Sequence, residues 1–387
     1  MNIQNMLNKT VRDMKPSGIR KFFDVVAQMP DAISLGVGEP DFVTPWHIRD
    51  AGIYSLEKGH TYYTSNSGLT ELREEICNYL ERRFNLKYNI KQTLITVGGS
   101  EAIDLCIRAL ISAGDEVLIP EPSFVCYLPC VQMAGGTPVP IVTKAEDRFK
   151  LTADALKAAI TPRTKLLVLP YPNNPTGGIM TYEDLQEIVE VLKDKDIFVL
   201  SDEIYAELTY GRKHRSIAEF DCMKDKTILV SGFSKAYAMT GWRLGYACAH
   251  EEIIAVMTKI HQYAIMSTPT VSQYAAIEAV KNGDNDIAAM VSEYNYRRKV
   301  ILEAFNQMGL TCFEPEGAFY IFPCIKTTGL SSNDFCETLL KEQKVAVVPG
   351  NAFGESGEGY IRCSYAYSID AINRAVDRID KFLSSRK

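Results

Sequence analysis

Between about residue 90 and residue 250, short and nearly unbroken apolar runs alternate with turns rich in Gly, Pro, Asn and Ser, and a helical pattern follows most turns. Such runs are typical of parallel strands covered on both faces, because neither side of the strand meets water. Their alternation with helices predicts a doubly wound α/β sheet. The five runs are "TLITV", "EVLIP", "KLLVLP", "IFVLS" and "TILVS".

A second pattern begins after about residue 285, where a long polar helical stretch leads to "GAFYIFP", "VAVVPG" and "GYIRCSYAY". Short strands interspersed with helices predict a smaller α+β domain. A chain of 387 residues also exceeds one ordinary core, which favours two domains. We predict a large α/β domain over 45–285 and a discontinuous small domain over 1–44 plus 286–387.

One helix start is marked inside the large domain. Thr181 and Asp184 have the spacing of a helix cap at the start of "TYEDLQEIVEVLKD". The pattern therefore predicts a helix that begins just after Thr181.

The charge balance narrows the function classes. The net charge is -6 and the Lys and Arg residues are scattered, whereas nucleic-acid binding needs basic residues gathered on one face. No apolar run approaches the roughly 18 residues of a membrane span. The first residues lack the apolar core of a secretory signal, so we expect a cytoplasmic protein that acts on small molecules.

Cysteine and histidine give no sign of a metal. The ten cysteines are spread through mostly apolar segments, where a free thiol acts as a small hydrophobe. "CYLPC" lacks a second pair or a nearby histidine, and the five histidines have no ligand spacing. We therefore predict no metal site.

Polar residues follow several apolar runs, where each predicted strand ends. Ligands bind outside the carboxyl ends of strands in open parallel sheets, so these positions are candidates for a site. "GGSEA" opens a helix whose free N–H groups suit an anion such as phosphate. Asn174 lies in the rigid turn "YPNNPTGG", and Asp202 ends a buried run, where a carboxylate needs a positive partner. Taken alone, "GGSEA" is more often an ordinary strand-to-helix connection and Asn174 more often belongs to an ordinary Asn-Pro turn, while a solvated strand-end acid is the alternative for Asp202.

The stretch "SGFSKAYAMTGWRLGY", residues 231–246, adds Lys235 and Arg243 to this edge. A lysine among apolar and hydroxyl groups loses its proton more readily and becomes a nucleophile, although an ion-paired lysine is the alternative. Together these groups match a pyridoxal phosphate pocket, where a lysine holds the aldehyde as a Schiff base and a carboxylate keeps the ring nitrogen protonated. Neither "GVGEPD" nor "GGSEA" completes a dinucleotide or P-loop motif.

The order of these motifs resembles the class I/II aminotransferases of the pyridoxal-phosphate fold type I superfamily, in the aspartate aminotransferase subgroup. The resemblance covers nearly the whole chain, through "ISLGVGEPDFVTP", "YTSNSGLTELREEI", "YPNNPTGG", "SDEIYAEL", "SKAYAMTGWRLGY" and "EGYIRCSYA". It implies a fold-type I α/β architecture, with a mostly parallel doubly wound sheet and a smaller α+β domain. It also implies a homodimer whose active sites are shared between subunits.

Carried over to this chain, the resemblance assigns the cofactor's ring. Lys235 would form the internal aldimine and then move the proton between the substrate Cα and the cofactor's C4′. Asp202 would pair with the pyridinium nitrogen. Asn174 and Tyr205 would hydrogen-bond the phenolic oxygen, and Phe124 would stack on the ring.

The resemblance also implies a phosphate site. Gly99 and Ser100 would donate from backbone and hydroxyl, Arg243 would supply its charged fork, and Tyr63 would reach in from the neighbouring subunit. Many family members carry a serine three residues before the lysine, where this chain has Gly232. Which of the flanking hydroxyls contacts the phosphate, that of Ser231 or that of Ser234, is therefore left open.

Substrate recognition is implied in the same way. Arg362, whose planar guanidinium suits a carboxylate, would bind the α-carboxylate with help from the Gly38 backbone and Asn174. Arg20 is a candidate second cation for a dicarboxylate substrate.

Transamination by a ping-pong mechanism is the leading hypothesis. Aspartate, aromatic amino acids or an acylated diaminopimelate are candidate donors, and 2-oxoglutarate is the expected acceptor. A carbon–sulfur β-lyase resembling the cystathionine lyases is the alternative with the same cofactor. An amino-acid sensor without catalysis is the third hypothesis.

Overall fold

The strands were located in a computed structural model that describes residues 1–14, 29 and 31–386. In chain order they are β1 (Ile33–Ser34), β2 (Thr93–Thr96), β3 (Glu116–Glu121), β4 (Thr137–Val142), β5 (Thr164–Leu169), β6 (Phe198–Asp202), β7 (Thr227–Gly232), β8 (Gly245–Cys248), β9 (Tyr320–Ile321), β10 (Val345–Ala346), β11 (Val348–Pro349) and β12 (Ile361–Ser364).

The α-helices connect and cover these strands. They are α1 (Lys9–Asp13), α2 (Trp46–Glu57), α3 (Thr70–Phe84), α4 (Gly98–Leu110), α5 (Tyr127–Met133), α6 (Ala153–Ala159), α7 (Tyr182–Leu192), α8 (Asp221–Lys224), α9 (Glu251–Ala264), α10 (Thr270–Asn282), α11 (Asp284–Gln307), α12 (Ser332–Gln343) and α13 (Ile369–Ser384). In the part of the chain that the structure describes, none of them has the length and apolar character needed to cross a bilayer.

Within the described ranges, a seven-stranded sheet has the order β2-β8-β7-β6-β5-β3-β4. Strands β3 to β7 pair in parallel, whereas β8 runs antiparallel to both β2 and β7. The five apolar runs of the sequence correspond to β2, β3, β5, β6 and β7. The prediction of a mostly parallel α/β sheet is confirmed.

Both faces of this sheet are covered by helices. On β5, Leu166 and Val168 belong to a cluster with α4 and α9, whereas Leu167 and Leu169 belong to a cluster with α7. Successive side chains of a strand point to opposite faces, so both sides of β5 are buried. This double coverage explains why the runs lack polar alternation.

The helix start predicted at Thr181 is also confirmed. The Thr181 hydroxyl accepts a hydrogen bond from the Asp184 N–H, and the Asp184 carboxylate accepts one from the Thr181 N–H. This reciprocal cap begins α7 at Tyr182.

Two strands of the sheet were missing from the sequence prediction. Strand β4 forms one edge and reads "TPVPIV", with two prolines and mostly exposed or half-buried positions. Prolines donate no ladder hydrogen bond and occur at sheet edges, so this segment lacks the apolar signature of a central strand. Strand β8 is only four residues long and begins at the end of the motif that also carries Arg243.

The remaining strands join the two ends of the chain. Strand β1 pairs in parallel with β10, and β11, β12 and β9 form an antiparallel sheet. Ile33 and Leu35 are buried in one cluster with Ile301, Ile372 and Phe382. The segment that contains Ile33 and Leu35 therefore packs with the C-terminal part of the chain. The domain boundaries at 44/45 and 285/286 stay a prediction.

The backbones of β8 and α4 approach each other closely at Gly245, so we expect a substitution of this glycine to destabilise the fold. A Cβ on Gly245 of β8 would lie 2.5 Å from the Gly98 carbonyl carbon and 2.6 Å from the Gly99 nitrogen. Because these obstacles are backbone atoms, we expect Gly245→Ala to lower the free energy of unfolding by about 1–3 kcal/mol, the usual cost of overpacking. Chemical denaturation measures this change.

Gly241 provides the matched control for that measurement. It lies four residues earlier, and an added Cβ would have no described atom within 4 Å. We expect Gly241→Ala to change the stability by no more than about 0.5 kcal/mol. Equal effects of the two substitutions would contradict the close approach of β8 to α4.

Candidate active site

The carboxyl ends of β5, β6 and β7 and the start of α4 open into a cavity of about 320 Å³. Parallel strands direct the residues that follow them to one edge of the sheet, which is why turns far apart in sequence meet here. Most of the sequence-predicted site residues line this cavity: Gly38, Gly99, Ser100, Phe124, Asn174, Asp202, Tyr205, Ser234, Lys235, Arg243 and Arg362.

Lys235 lies three residues beyond β7 with its amine in the cavity. Its Nζ donates a hydrogen bond to the Gly38 carbonyl over 2.6 Å and lies 6.0 Å from the centre of the Tyr205 ring. Removal of the amine from water lowers the pKa of Lys235 to about 8, and the positive charges of Arg362 and Arg243 act in the same direction. A substantial fraction of this amine is thus neutral near physiological pH.

Asp202 forms the last residue of β6 and is almost fully buried. Its Oδ2 accepts a hydrogen bond from the Tyr127 hydroxyl over 2.6 Å, and its Oδ1 accepts one from the Ile204 N–H over 3.2 Å. Burial raises the pKa of the Asp202 carboxyl, although the Tyr127 hydrogen bond opposes this shift. A positively charged group in the cavity would stabilise the carboxylate.

An anion site lies at the start of α4. Gly98 has φ of +74°, a left-handed conformation that favours glycine, and the first N–H groups of a helix have no partner within it. Gly99 and Ser100 face the cavity there. Arg243 lies over this turn, since a Cβ on Gly98 would come within 2.6 Å of the Arg243 Nη2. Helix dipole and guanidinium together favour a dianion.

Arg362 presents a second cation on the other side of the cavity. Its guanidinium carbon lies 4.5 Å from the Tyr320 ring centre and 4.7 Å from that of Phe353, and its Nη1 donates to the Asn174 Oδ1 over 2.8 Å. Burial lowers the pKa of the Arg362 guanidinium from its ordinary value. Its buried Nε has no hydrogen-bond partner among the described residues, which leaves a donor for an incoming carboxylate.

Two of the predicted residues are absent from the cavity lining. The Ser231 hydroxyl donates to the Glu203 carbonyl over 3.2 Å and is absent from the cavity lining, whereas Ser234 is part of it. Tyr63 is 81% exposed at the surface. Arg20 falls outside the described residues, so its place relative to the cavity stays a prediction.

Sequence reasoning missed the polar side chains of three residues that border the cavity, namely Tyr127, Thr240 and Tyr320. Tyr127 bonds Asp202, and the Tyr320 hydroxyl lies 2.7 Å from the Tyr205 hydroxyl. Both tyrosines lie in apolar segments, where the sequence pattern predicts that an aromatic residue is part of the hydrophobic core. Thr240 was within the quoted motif, and its carbonyl accepts from the Arg243 guanidinium over 3.0 Å.

A comparison with protein families decides which chemistry this cavity serves. The profile described as "Aminotransferase class I and II" matches residues 30–379. The chain belongs to this aminotransferase family. It is therefore a pyridoxal-phosphate-dependent aminotransferase, as the resemblance of its motifs predicted.

Individual relatives agree with the family. The putative aminotransferase YugH of Bacillus subtilis is 53% identical over 378 residues, covering 97% of this chain and 98% of the relative. An aspartate aminotransferase of Pyrococcus abyssi is 46% identical over 378 residues, covering 97% of each chain. These relatives give no support to the β-lyase alternative.

A solved structure shares the fold. The aromatic aminotransferase from Pyrococcus horikoshii superposes with a TM-score of 0.90 at 44% identity, covering 94% of this chain and 99% of that chain. This similarity confirms the fold-type I architecture.

The cavity fits pyridoxal phosphate by the chemistry of its groups. The cofactor presents an aldehyde, a basic ring nitrogen and a phosphate dianion. The cavity offers an amine of lowered pKa at Lys235, a buried carboxylate at Asp202, and a helix start with a guanidinium at Gly99 and Arg243. Each group of the cofactor thus has a complementary partner.

The pKa of Lys235 predicts how the apoprotein takes up this cofactor. Only a neutral amine attacks an aldehyde, and the neutral fraction rises as the pH increases towards the pKa. We expect the rate of cofactor capture to rise with pH to about 8 and then to level off. Stopped-flow absorbance between pH 6 and 10 measures this rate.

The control reaction uses Nα-acetyllysine, whose amine has an ordinary pKa of about 10.4. Its rate should continue to rise across the whole range. A protein rate that follows the same rising curve would contradict the desolvation of Lys235.

Proposed function

We propose that this aminotransferase carries the amino group of an L-amino acid to 2-oxoglutarate in two half-reactions. The observation that carries the proposal is the placement of the Lys235 amine and the Arg362 guanidinium in one cavity. A carboxylate held by Arg362 brings the attached Cα into the cavity with a base of suitable pKa. This arrangement serves α-amino acids as a class.

The residues act in distinct ways in this proposal. When bound, pyridoxal phosphate supplies the aldehyde that receives the amino group and a ring that takes up electrons. Lys235 would act as the base that removes the proton from the substrate Cα, and its protonated amine would then supply a proton to the cofactor's C4′. Asp202 holds a proton on the ring nitrogen. Asn174 and Tyr205 orient the ring's phenolic oxygen, and Phe124 packs on the ring.

Phosphate binding is assigned to the start of α4. Gly99 and Ser100 would donate from the helix terminus, and Arg243 would add its charge. Ser234 is the proposed serine contact because it lines the cavity, whereas the Ser231 hydroxyl is bonded to the Glu203 carbonyl. Gly38 lies on the substrate side, since its carbonyl accepts from Lys235.

Aspartate and aromatic amino acids are the proposed donors, because similar chains are an aspartate aminotransferase and an aromatic aminotransferase. A "Probable N-acetyl-LL-diaminopimelate aminotransferase" of Bacillus subtilis at 43% identity keeps an acylated diaminopimelate among the candidates. Arg20 stays the proposed second cation for a dicarboxylate donor.

Absorbance of the cofactor-loaded protein tests the reaction. We expect aspartate, tyrosine or phenylalanine to remove the absorbance of the aldehyde form of the cofactor, and 2-oxoglutarate to restore it. Lys235→Ala should lower turnover at least about 10³-fold because it removes the base, whereas Lys91→Ala, at an exposed site, should leave turnover unchanged.

Three outcomes would contradict this proposal. Release of pyruvate and ammonia from cystathionine without the absorbance change would indicate a lyase. Ligand binding that survives Lys235→Ala, with no turnover in the unmodified protein, would indicate a sensor. Failure to bind pyridoxal phosphate at all would remove the basis of the assignment.

We propose a homodimer because several large apolar side chains are exposed on neighbouring segments of the described surface: the Thr270 hydroxyl donates to the Tyr62 carbonyl, and the Asn66 amide donates to the Met266 carbonyl. Helix α2 exposes Trp46, Ile53, Tyr54 and Leu56, and Tyr62, Tyr63, Tyr263, Ile265 and Met266 are exposed as well. Contiguous exposed apolar surface indicates an interface. In such a dimer, Tyr63 would reach the phosphate site of the partner.

All ten cysteines are free, which favours the reducing cytoplasm as the compartment.

A hybrid dimer tests the shared site. Tyr63→Ala and Lys235→Ala chains, each with its own tag, are co-expressed and the mixed dimer is isolated. If Tyr63 serves the partner's site, one site of the hybrid lacks both side chains and the other is native, so we expect about half of the unmodified turnover per dimer. A hybrid no more active than the Tyr63→Ala enzyme per intact lysine, or a monomer in sedimentation, would contradict the proposal.

A further inference from the structure

A buried carboxylate lies directly behind the candidate site. Glu203 follows Asp202 in the chain but is only 2% exposed and is not part of the cavity lining. Successive side chains at a strand end point to opposite faces, so the two carboxylates face away from each other. A buried carboxylate is costly unless donors satisfy it, which raises the question of what Glu203 does there.

Three side chains donate to the Glu203 carboxylate. The hydroxyls of Ser201 and Ser216 reach Oε1 over 2.8 Å and 2.5 Å, and the His214 Nε2 lies 2.7 Å from Oε2. An ionised carboxylate only accepts hydrogen bonds, so Nε2 carries the proton of that contact. The His214 side chain is itself 6% exposed and meets the Phe84 ring edge-on. The group is therefore fixed from several directions.

The main chain of Glu203 is fixed equally firmly. Its N–H donates to the Val230 carbonyl over 2.8 Å, and its carbonyl accepts from the Ser231 hydroxyl over 3.2 Å. The turn that follows, residues 203–206, closes with a hydrogen bond from the Ala206 N–H to the same carbonyl over 2.9 Å. Glu203 thus ties the end of β6 to the end of β7 and to the segment around residue 214.

This anchored turn carries two of the proposed cofactor contacts. Asp202 precedes Glu203 directly, and Tyr205 follows it by two residues. Both side chains enter the cavity from a main chain whose position Glu203 determines. A shift of this turn would move the ring-nitrogen partner and the phenol together, whereas the main chain of Arg362 belongs to a different strand, β12.

We propose that His214 and Glu203 form a positioning pair, which holds the 202–205 turn so that Asp202 and Tyr205 meet the cofactor ring. This inference rests on the ring contacts proposed above for Asp202 and Tyr205. The pair contacts neither cofactor nor substrate and acts through the turn alone. Such outer contacts tune how precisely a bound group is held.

The test compares His214→Ala with His214→Gln. Alanine leaves the Glu203 carboxylate without one donor, whereas the glutamine amide can occupy the place of Nε2. For His214→Ala we expect about tenfold weaker cofactor binding and about tenfold lower kcat, while the amino-acid KM changes less than about twofold. The visible circular dichroism of the bound cofactor should also decrease, since this signal reports how the ring is held.

Glu203→Gln separates the effect of position from that of charge, Ser216→Ala separates it from a failure to fold, and Lys150→Ala is the control. Glu203→Gln removes the charge but keeps the shape of the side chain and one acceptor oxygen for the Ser201 and Ser216 hydroxyls, and its amide can donate to the other tautomer of His214. We therefore expect the dichroism and cofactor affinity to stay near those of the unmodified enzyme. If His214→Ala does not fold, Ser216→Ala removes a smaller contact and should shift the same readouts in the same direction. Lys150→Ala breaks an ion pair with Asp184 at 2.5 Å outside the cavity lining and should shift none of them.

The outcomes distinguish this inference from the proposed function. Unmodified enzyme that binds no cofactor would overturn both. Normal binding and turnover in the unmodified enzyme, with an unchanged cofactor signal in His214→Ala, would overturn the positioning pair alone. A fall in the thermal stability of His214→Ala with no change in cofactor affinity or dichroism would also overturn the positioning pair. Equal losses of affinity and kcat in His214→Ala and His214→Gln would overturn it as well.

Discussion

Removal of a few charged groups from water is the physical constraint on which the site depends. Lys235, Asp202 and Arg362 share one cavity. Burial lowers the pKa of Lys235 and of Arg362 and raises the pKa of Asp202, so that it favours the neutral form of each group. For the lysine this shift is useful, because a neutral amine is a nucleophile and a base. For the carboxylate and the guanidinium it is a cost, which the protein offsets with the Tyr127 hydroxyl in one case and with Asn174 and two aromatic rings in the other.

The fold brings these groups together through close backbone contacts at the strand ends. Gly232 and Gly245 face each other across β7 and β8, and a Cβ on Gly232 would lie 2.9 Å from the Gly245 Cα. This explains in part why the chain has glycine three residues before Lys235. Because Gly245 also has no side chain, β8 packs closely against the start of α4. The Arg243 guanidinium lies next to Gly98 at the same place. The phosphate site thus follows from backbone packing as much as from side-chain chemistry.

The sequence was sufficient for the central parallel strands β3, β5, β6 and β7 because their burial on both faces leaves continuous apolar runs. It was insufficient for β4, whose prolines and exposed positions hide an edge strand, and for β8, which is too short to show a period. The same reasoning applies to the site. Strand ends located most of its polar groups, but Tyr127 and Tyr320 have the pattern of core residues. The sequence also did not indicate that Ser234 lines the cavity while Ser231 does not, because closely spaced polar residues do not specify which side chain faces a site.

Tyr320 joins the cofactor side and the substrate side of the site into one unit. Its hydroxyl lies 2.7 Å from that of Tyr205, its ring packs under the Arg362 guanidinium, and a Cβ on Gly38 would come within 2.1 Å of its hydroxyl oxygen. The Gly38 carbonyl in turn accepts from Lys235. Because each contact shares a residue with the next, a displacement of the segment at Gly38 alters the surroundings of both Lys235 and Arg362. Glycine at position 38 is therefore required by the close approach of the Tyr320 hydroxyl.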